Sequence, residues 1–156
     1  MDTRRYNRYR EDLEMMILNI LNNTPKHAYA IMSDLEDLIG FKPPTSIVYP
    51  LLRSLHKRGL VDYREESRSG RKIKIYYLTD KGRNYLEENK ERLDKALSHA
   101  NKHRLMRSIG VDRIFMILRE LHDNIDKLSE DQLRNMRRAV LSFEKEIREI
   151  LINRGE

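Results

Sequence analysis

A mainly helical fold with one β-hairpin is what this sequence predicts, on three observations. Short amphipathic segments separated by NNTP and GFKPP fill residues 11–58, and an alternating stretch folded about SRSGR follows them. From residue 80 onward the apolar residues recur at helical spacing almost to the end. Three helices, a two-stranded hairpin and a further helix, in that order, are the parts of a winged helix-turn-helix, an α+β arrangement that is mainly α. The expected organisation is a flexible basic arm over 1–10, a winged helix-turn-helix DNA-binding domain over 11–90, and a linker helix with a helical hairpin for dimerisation over 91–156.

Each element has its own warrant. The first helix is expected from Glu11, because Leu13, Met16, Ile17, Ile20 and Leu21 share one face and Asn22-Asn23-Thr24-Pro25 ends the pattern. The second runs from about His27 to Ile39, with Ala28, Ile31, Met32, Leu35 and Leu38 inward and Gly40 placed for a left-handed stop. Lys42-Pro43-Pro44 is a stiff extended connector, and Thr45 offers a hydroxyl to cap the third helix, which Gly59 closes. Leu60 to Glu66 and Lys72 to Leu78 read as paired strands. Thr79 then caps a long helix reaching past Ala100.

The third helix carries the chemistry. With Ile47, Val48, Leu51, Leu52 and Leu55 facing in, the residues left outside are Ser46, Tyr49, Pro50, Arg53 and Lys57, one continuous stripe beside Thr45. It combines hydroxyls, a phenol, a flat apolar ring and two cations. That mixture serves a major groove, which offers base-edge acceptors, thymine methyls and flanking phosphates. Pro50 removes a backbone donor within the first turn and a half, on the exposed side, where the loss is cheapest.

Charge is concentrated in the same region. The 156 residues carry 31 Lys and Arg against 25 Asp and Glu, a net +6. Between Arg53 and Arg83 alone stand ten basic and four acidic residues, which accounts for the whole excess. Arg68, Arg71, Lys72 and Lys74 fall on the hairpin, where a wing would meet the phosphate backbone or minor groove.

The C-terminal part repeats a heptad pattern twice. Val111, Ile114, Leu118, Leu121, Ile125 and Leu128 step alternately by three and four, as do Leu133, Met136, Val140, Phe143, Ile147 and Ile150. Ser129 and Gln132 form a capping box at the start of the second set. The short connector predicts an antiparallel hairpin. Two seams exceed what one hairpin can cover, so a homodimer through these residues is expected.

Other classes fit poorly. Cysteine is absent, which removes disulfides and thiolate or cysteine–metal chemistry, and no P-loop, GxGxxG, HExxH or nucleophile elbow occurs. No enzyme activity, catalytic residue, metal site or cofactor is expected. His99 and His103 lie four residues apart and read as a solvated face rather than a metal site. MDTRRYNRYR lacks a secretory core and no run is long and apolar enough to span a membrane, so a cytoplasmic protein is expected. The alternative to a DNA-binding regulator is a winged-helix protein–protein adaptor, against which the basic stripe argues. Tyr29, Phe115 and the methionines are candidates to line an apolar pocket, although such residues are more often core.

ILNILNNTPKHAYAI, TSIVYPLLRSLHKRGLV and SGRKIKIYYLTDKG, in that order and at fitting distances, resemble the PadR family of winged-helix transcriptional regulators. Tyr49-Pro50-Leu51-Leu52, Arg58-Gly59-Leu60 and Tyr77-Leu78-Thr79-Asp80-Lys81-Gly82 carry the likeness, over about residues 13 to 90. One departure is His27-Ala28-Tyr29, where the family usually has His-Gly-Tyr; it puts a close backbone approach there in question. The resemblance implies a homodimeric repressor on a palindromic operator, released in some members by a small hydrophobic effector.

Overall fold

The computed structural model describes residues 3–68 and 70–153, with side chains from Asn7 onward except that of Arg68. It divides into two compact units, Met1–Val111 and Asp112–Glu156.

The first unit begins with α1 (Thr3–Asn23), followed by β1 (Lys26–His27), α2 (Ala28–Ile39) and α3 (Thr45–Lys57). Then come β2 (Val61–Arg68), β3 (Arg71–Leu78), α4 (Asp80–Glu88) and α5 (Lys90–Ser108). The mainly helical α+β reading holds, and the strands form one antiparallel sheet in the order β1-β3-β2. The hairpin runs in register from Val61 opposite Leu78 to Arg68 opposite Arg71, and Gly70 has a positive φ of 74° at its tip.

Three elements differ in extent from expectation. The first helix starts at Thr3 rather than near Glu11, so the basic stretch expected as a flexible arm over 1–10 is helical from Thr3; Met1 and Asp2 lie outside the described residues. Leu13, Met16 and Ile17 anchor this helix in the core, and nothing before Glu11 breaks it. The long helix after the hairpin is two, α4 and α5. Asn89 interrupts it, with φ −111° and its side-chain amide donating to the Tyr85 carbonyl over 2.8 Å. β1 was not legible: Lys26 pairs with Tyr76 and His27 with Ile75, two residues too few to show a period.

Caps set the orientation of α3. Thr45 is not its N-cap. Pro44 holds that position, with its carbonyl accepting from Ile47 and Val48, and the Thr45 hydroxyl is left exposed. At the other end Gly59, at φ 72°, donates to His56 and Leu60 donates to Leu55, the paired bonds of a Schellman stop. α2 ends as expected on Gly40 at φ 83°. Its buried face is completed by Ile39, with Leu38 half-buried. Ala28 is itself buried, so the alanine side chain is accommodated in the core where a glycine was the usual residue.

The core is built from the inward faces of α1, α2 and α3. Leu13, Ile17, Leu18, Ile31, Leu35, Val48, Leu51 and Leu55 are fully buried, with Val61 and Leu78 from the hairpin beneath them. Ile47, expected inward, is only half-buried.

The second unit holds α6 (from Val111, ending at Asn124), a single 3-10 turn (Ile125–Lys127) and α7 (Glu130–Ile152). The capping box is present: the Ser129 hydroxyl accepts from the Gln132 N–H over 3.2 Å and the Gln132 side chain accepts from the Ser129 N–H over 2.8 Å. Among the described residues α6 and α7 do not form a tightly packed helical pair. A heptad pattern fixes which face of a helix is apolar, not which helix that face meets. No seam residue is buried: Val111, Ile114, Leu121 and Leu128 are half-buried, and Leu118, Ile125, Leu133, Met136, Val140, Phe143, Ile147 and Ile150 are exposed.

Candidate nucleic-acid interface

α3 presents the stripe that its sequence spacing implies. Thr45, Ser46, Tyr49, Pro50, Arg53 and Lys57 are all exposed, while Val48, Leu51, Leu52 and Leu55 are buried behind them. The helix is continuous through Pro50 to Lys57. The bond that Pro50 cannot make would have gone to the carbonyl of Ser46, an exposed residue that water reaches. Tyr49 keeps nearly half its surface in solvent, at 46%.

The wing continues this surface. Tyr76 on β3 lies close enough to Tyr49 and Arg53 of α3, and to Lys74, for their charges to act on its phenol, whose pKa burial raises. Tyr76 is tilted against Tyr63 of β2 at 5.8 Å, and His56 of α3 is likewise tilted against Tyr63 at 5.2 Å. The Lys74 ammonium sits 3.9 Å above the Tyr63 ring. The hydrogen bond with Tyr63 is the main reason its pKa is raised, so the ammonium stays charged at neutral pH. An aromatic cluster thus joins α3 to the hairpin, with the Lys74 ammonium on its exposed side.

Further along the hairpin Arg71 and Lys72 are exposed, with Lys72 3.7 Å from Glu65 and Arg64 3.0 Å from Glu66. Such exposed pairs are weak and open readily to a polyanion. Arg53, Lys57 and Arg71 have no acidic partner among the described residues. The Arg68 backbone is in β2, but its side chain lies outside the described residues.

Not every basic residue counted in the sequence belongs to this face. Arg58 reaches the other way, with Nη1 2.7 Å from Glu14 of α1 and its guanidinium 5.3 Å from the Tyr85 ring of α4. Lys81 donates to the Arg58 carbonyl over 2.8 Å and caps the end of α3. The Thr79 hydroxyl accepts from the Gly82 N–H over 3.0 Å and donates toward the Gly59 and Leu60 carbonyls. Both sequence signatures, Arg58-Gly59-Leu60 and Thr79-Asp80-Lys81-Gly82, are therefore a latch between the end of α3 and the start of α4. They fix the direction in which α3 leaves the core.

Two sequence expectations end differently. Tyr29 is 64% exposed at the start of α2, with the Lys42 ammonium 3.6 Å over its ring. Phe115 is 68% exposed in the second unit. His99 is not a merely solvated residue, since its Nδ1 lies 2.9 Å from Asp12 of α1. Among the described residues no cluster of three metal-binding side chains exists, and no helix is long and apolar enough to cross a membrane. His27 has a role the sequence did not announce: its ring accepts from the Ala30 N–H over 3.1 Å and caps α2.

Three helices with a β-hairpin wing and an outward basic face on the third helix define a winged helix-turn-helix fold. Residues 17–88 match the transcriptional regulator PadR-like family. The transcriptional regulator YqjI of Escherichia coli is 32% identical over 85 residues, covering 53% of this chain and 40% of that protein. The chain thus spans less than half the length of the curated relatives it matches. Among solved structures, a PadR-like transcription factor from Bacteroides fragilis superposes with a TM-score of 0.54 at 27% identity, over 65% of this chain and 98% of that one. A PadR-family transcriptional regulator from Eggerthella lenta gives 0.50 at 28% identity, over 60% and 82% of the two chains. The family is one of transcriptional regulators, not enzymes.

Proposed function

We propose that this protein is a sequence-specific double-stranded DNA-binding transcriptional regulator. It works as a repressor and as a homodimer on a pseudo-palindromic operator, and a small hydrophobic ligand releases it. The observation that carries the reading is the continuity of the Tyr49–Arg53 face of α3 with the Tyr76 and Lys74 side of the wing. Ser46, Tyr49 and Arg53 face base edges in the major groove, and Pro50 offers apolar surface to a thymine methyl. Thr45 and Lys57 meet phosphate at either end of α3, with Arg68, Arg71, Lys72 and Lys74 along the adjacent backbone or minor groove.

The homodimer reading is supported by the exposed seams of α6 and α7, since contiguous apolar stripes of this length seek cover. Two-fold symmetry then implies half-sites separated by about one helical turn, or a multiple of it. Selection of bound duplexes from a random DNA pool tests both claims at once. A recovered inverted repeat, bound with an affinity that falls steeply with salt, is the expected outcome. Recovery of no motif, with affinity indifferent to ionic strength, would favour a protein-binding role for the same face.

A further inference from the structure

His56 of α3 stands between the recognition stripe and the wing. It follows Arg53 by one helical turn and precedes Lys57, so it borders the stripe on the side that meets β2. The residue is exposed, and its ring is tilted against Tyr63 at 5.2 Å. Tyr63 in turn meets Tyr76, on which the charges of Tyr49 and Arg53 act, and carries the Lys74 ammonium 3.9 Å above its ring. The imidazole is therefore set in the angle between α3 and the hairpin, within the basic surface.

The polar contacts of this ring fix its tautomer. Nδ1 lies 3.2 Å from the Val61 carbonyl oxygen and 3.4 Å from Oδ1 of Asp62. Both are acceptors, so Nδ1 carries the hydrogen in the neutral ring. Asp62 is itself held in place: its Oδ1 accepts from the Tyr63 N–H over 2.8 Å and its Oδ2 from the Tyr77 hydroxyl over 3.3 Å. Nε2 has no partner among the described residues. Neutral, it offers a lone pair; protonated, it offers an N–H and a positive charge. The Asp62 side chain is 47% exposed, so a carboxylate stands beside the imidazole on an otherwise basic surface. A neutral His56 leaves that negative charge uncompensated, and a protonated one offsets it. The other charged or titratable groups around the ring are Arg53 and Lys57 of α3, Tyr63 of β2, and Lys74, Tyr76 and Tyr77 of β3. Lysine, arginine and tyrosine change charge well above neutrality and carboxylates well below it, whereas histidine changes between about pH 5 and 8.

We propose that His56 is a proton-dependent DNA contact: Val61 and Asp62 hold its Nδ1, its Nε2 meets a phosphate of the duplex, and the protonated ring grips tighter. A phosphate oxygen accepts from Nε2 only when that atom carries a hydrogen, so binding draws a proton onto the ring. The sign follows from linkage. Affinity is greatest on the acid side of the histidine range and is lost as the pH rises through it. Arg53, Lys57 and Lys74 supply a constant attraction, and His56 adds one that responds to pH. The inference rests on the DNA-binding reading above, to which it adds a contact and a dependence on protons.

The test uses the full chain and its selected duplex at fixed ionic strength. Wild-type affinity should rise about tenfold from about pH 8 to about pH 6, the effect of one phosphate on one adjacent cation. His56→Gln keeps an amide N–H for Val61 and Asp62 but never charges. It should lose the rise and bind throughout as the wild type does at the alkaline end. His56→Arg, permanently charged and able to lie on Tyr63, should bind throughout about as the wild type does at the acid end. Comparison between variants removes the contributions of His27, His99, His103 and His122. Nitrogen chemical shifts of the imidazole report the tautomer, expected with the hydrogen on Nδ1 in the free chain, and duplex should move the ring's titration to higher pH. Three results overturn the proposal: equal pH responses of wild type and His56→Gln, the hydrogen on Nε2 in the neutral ring, or a titration that duplex leaves unmoved. Duplex binding that persists through any of these, with its steep salt dependence, loses only the histidine contact. Absence of duplex binding at every pH removes the DNA-binding reading with it.

Discussion

The Thr79 hydroxyl donates to the carbonyl of Gly59 over 2.7 Å, across twenty residues of chain and the whole of the wing. The same oxygen accepts from the Gly82 N–H, so one side chain starts α4 and fastens it to the end of α3. Thr79→Val keeps the shape and removes both bonds. It should destabilise the protein by about 1–2 kcal/mol, the usual cost of a lost N-cap plus an unpaired group. Thr79→Ser should recover most of that loss. Urea unfolding reads both variants; equal midpoints for Val and Thr would show that the latch contributes nothing.

Gly82 is the most constrained position in this latch. A Cβ built there would lie 2.0 Å from the Leu60 carbonyl oxygen and 2.8 Å from the Leu78 side chain. Its backbone needs no unusual angles, so the demand for glycine is purely one of space. Backbone oxygen cannot swing aside as a side chain can, and α4 has to move away from α3. Gly82→Ala should therefore cost about 3 kcal/mol, at the upper end for overpacking. It should also lower duplex affinity, because the aim of α3 changes. A variant with normal melting temperature would mean that α4 shifts freely.

The two signatures illustrate what sequence could and could not give. Helical periodicity placed the buried face of α3, and with it the exposed stripe, because a 3.6-residue repeat leaves little choice once five apolar positions are assigned. Counting charge was less discriminating: Arg58 and Lys81 were tallied with the wing, yet they bond Glu14 and the end of α3. Which way a cation points depends on partners remote in the chain, and Glu14 is forty-four residues from Arg58. β1 escaped for a related reason, since a two-residue strand exists only through its neighbour β3. The Asn89 break escaped because a single side-chain-to-backbone bond decides it. The Thr45 cap was misassigned because Pro44 supplies the N-cap position one residue earlier, by its fixed backbone angle rather than by a hydroxyl.

Arg53 and the wing lysines should separate on mutation. Arg53 is exposed at the centre of the stripe, where a bidentate pair with guanine is within the reach of the α3 face. Arg53→Ala should cost about 1–3 kcal/mol of binding and relax preference at one base pair in each half-site. Lys72→Ala should instead weaken all sequences alike and reduce the salt slope by about one. Titrations of matched and single-mismatch duplexes at several ionic strengths distinguish the two. An unchanged base preference in Arg53→Ala would demote that side chain to a phosphate contact.

The seam of α7 makes the last prediction. Val140 is 52% exposed and Ile147 40% exposed, one turn of the heptad pattern on either side of Phe143. In a homodimer these positions become buried, and a charge there has no partner and cannot readily reach water. Val140→Lys or Ile147→Lys should therefore disrupt the dimer, while α7, held by its own Ser129–Gln132 cap, stays helical. Sedimentation equilibrium gives the mass and circular dichroism the helicity. A lysine variant that still sediments as a dimer would show that the copies meet elsewhere, and an inverted-repeat operator would then need a different source of symmetry. Because operator affinity of a dimer depends on both half-sites, the same variants should retain single-half-site binding and lose the steep gain from the second.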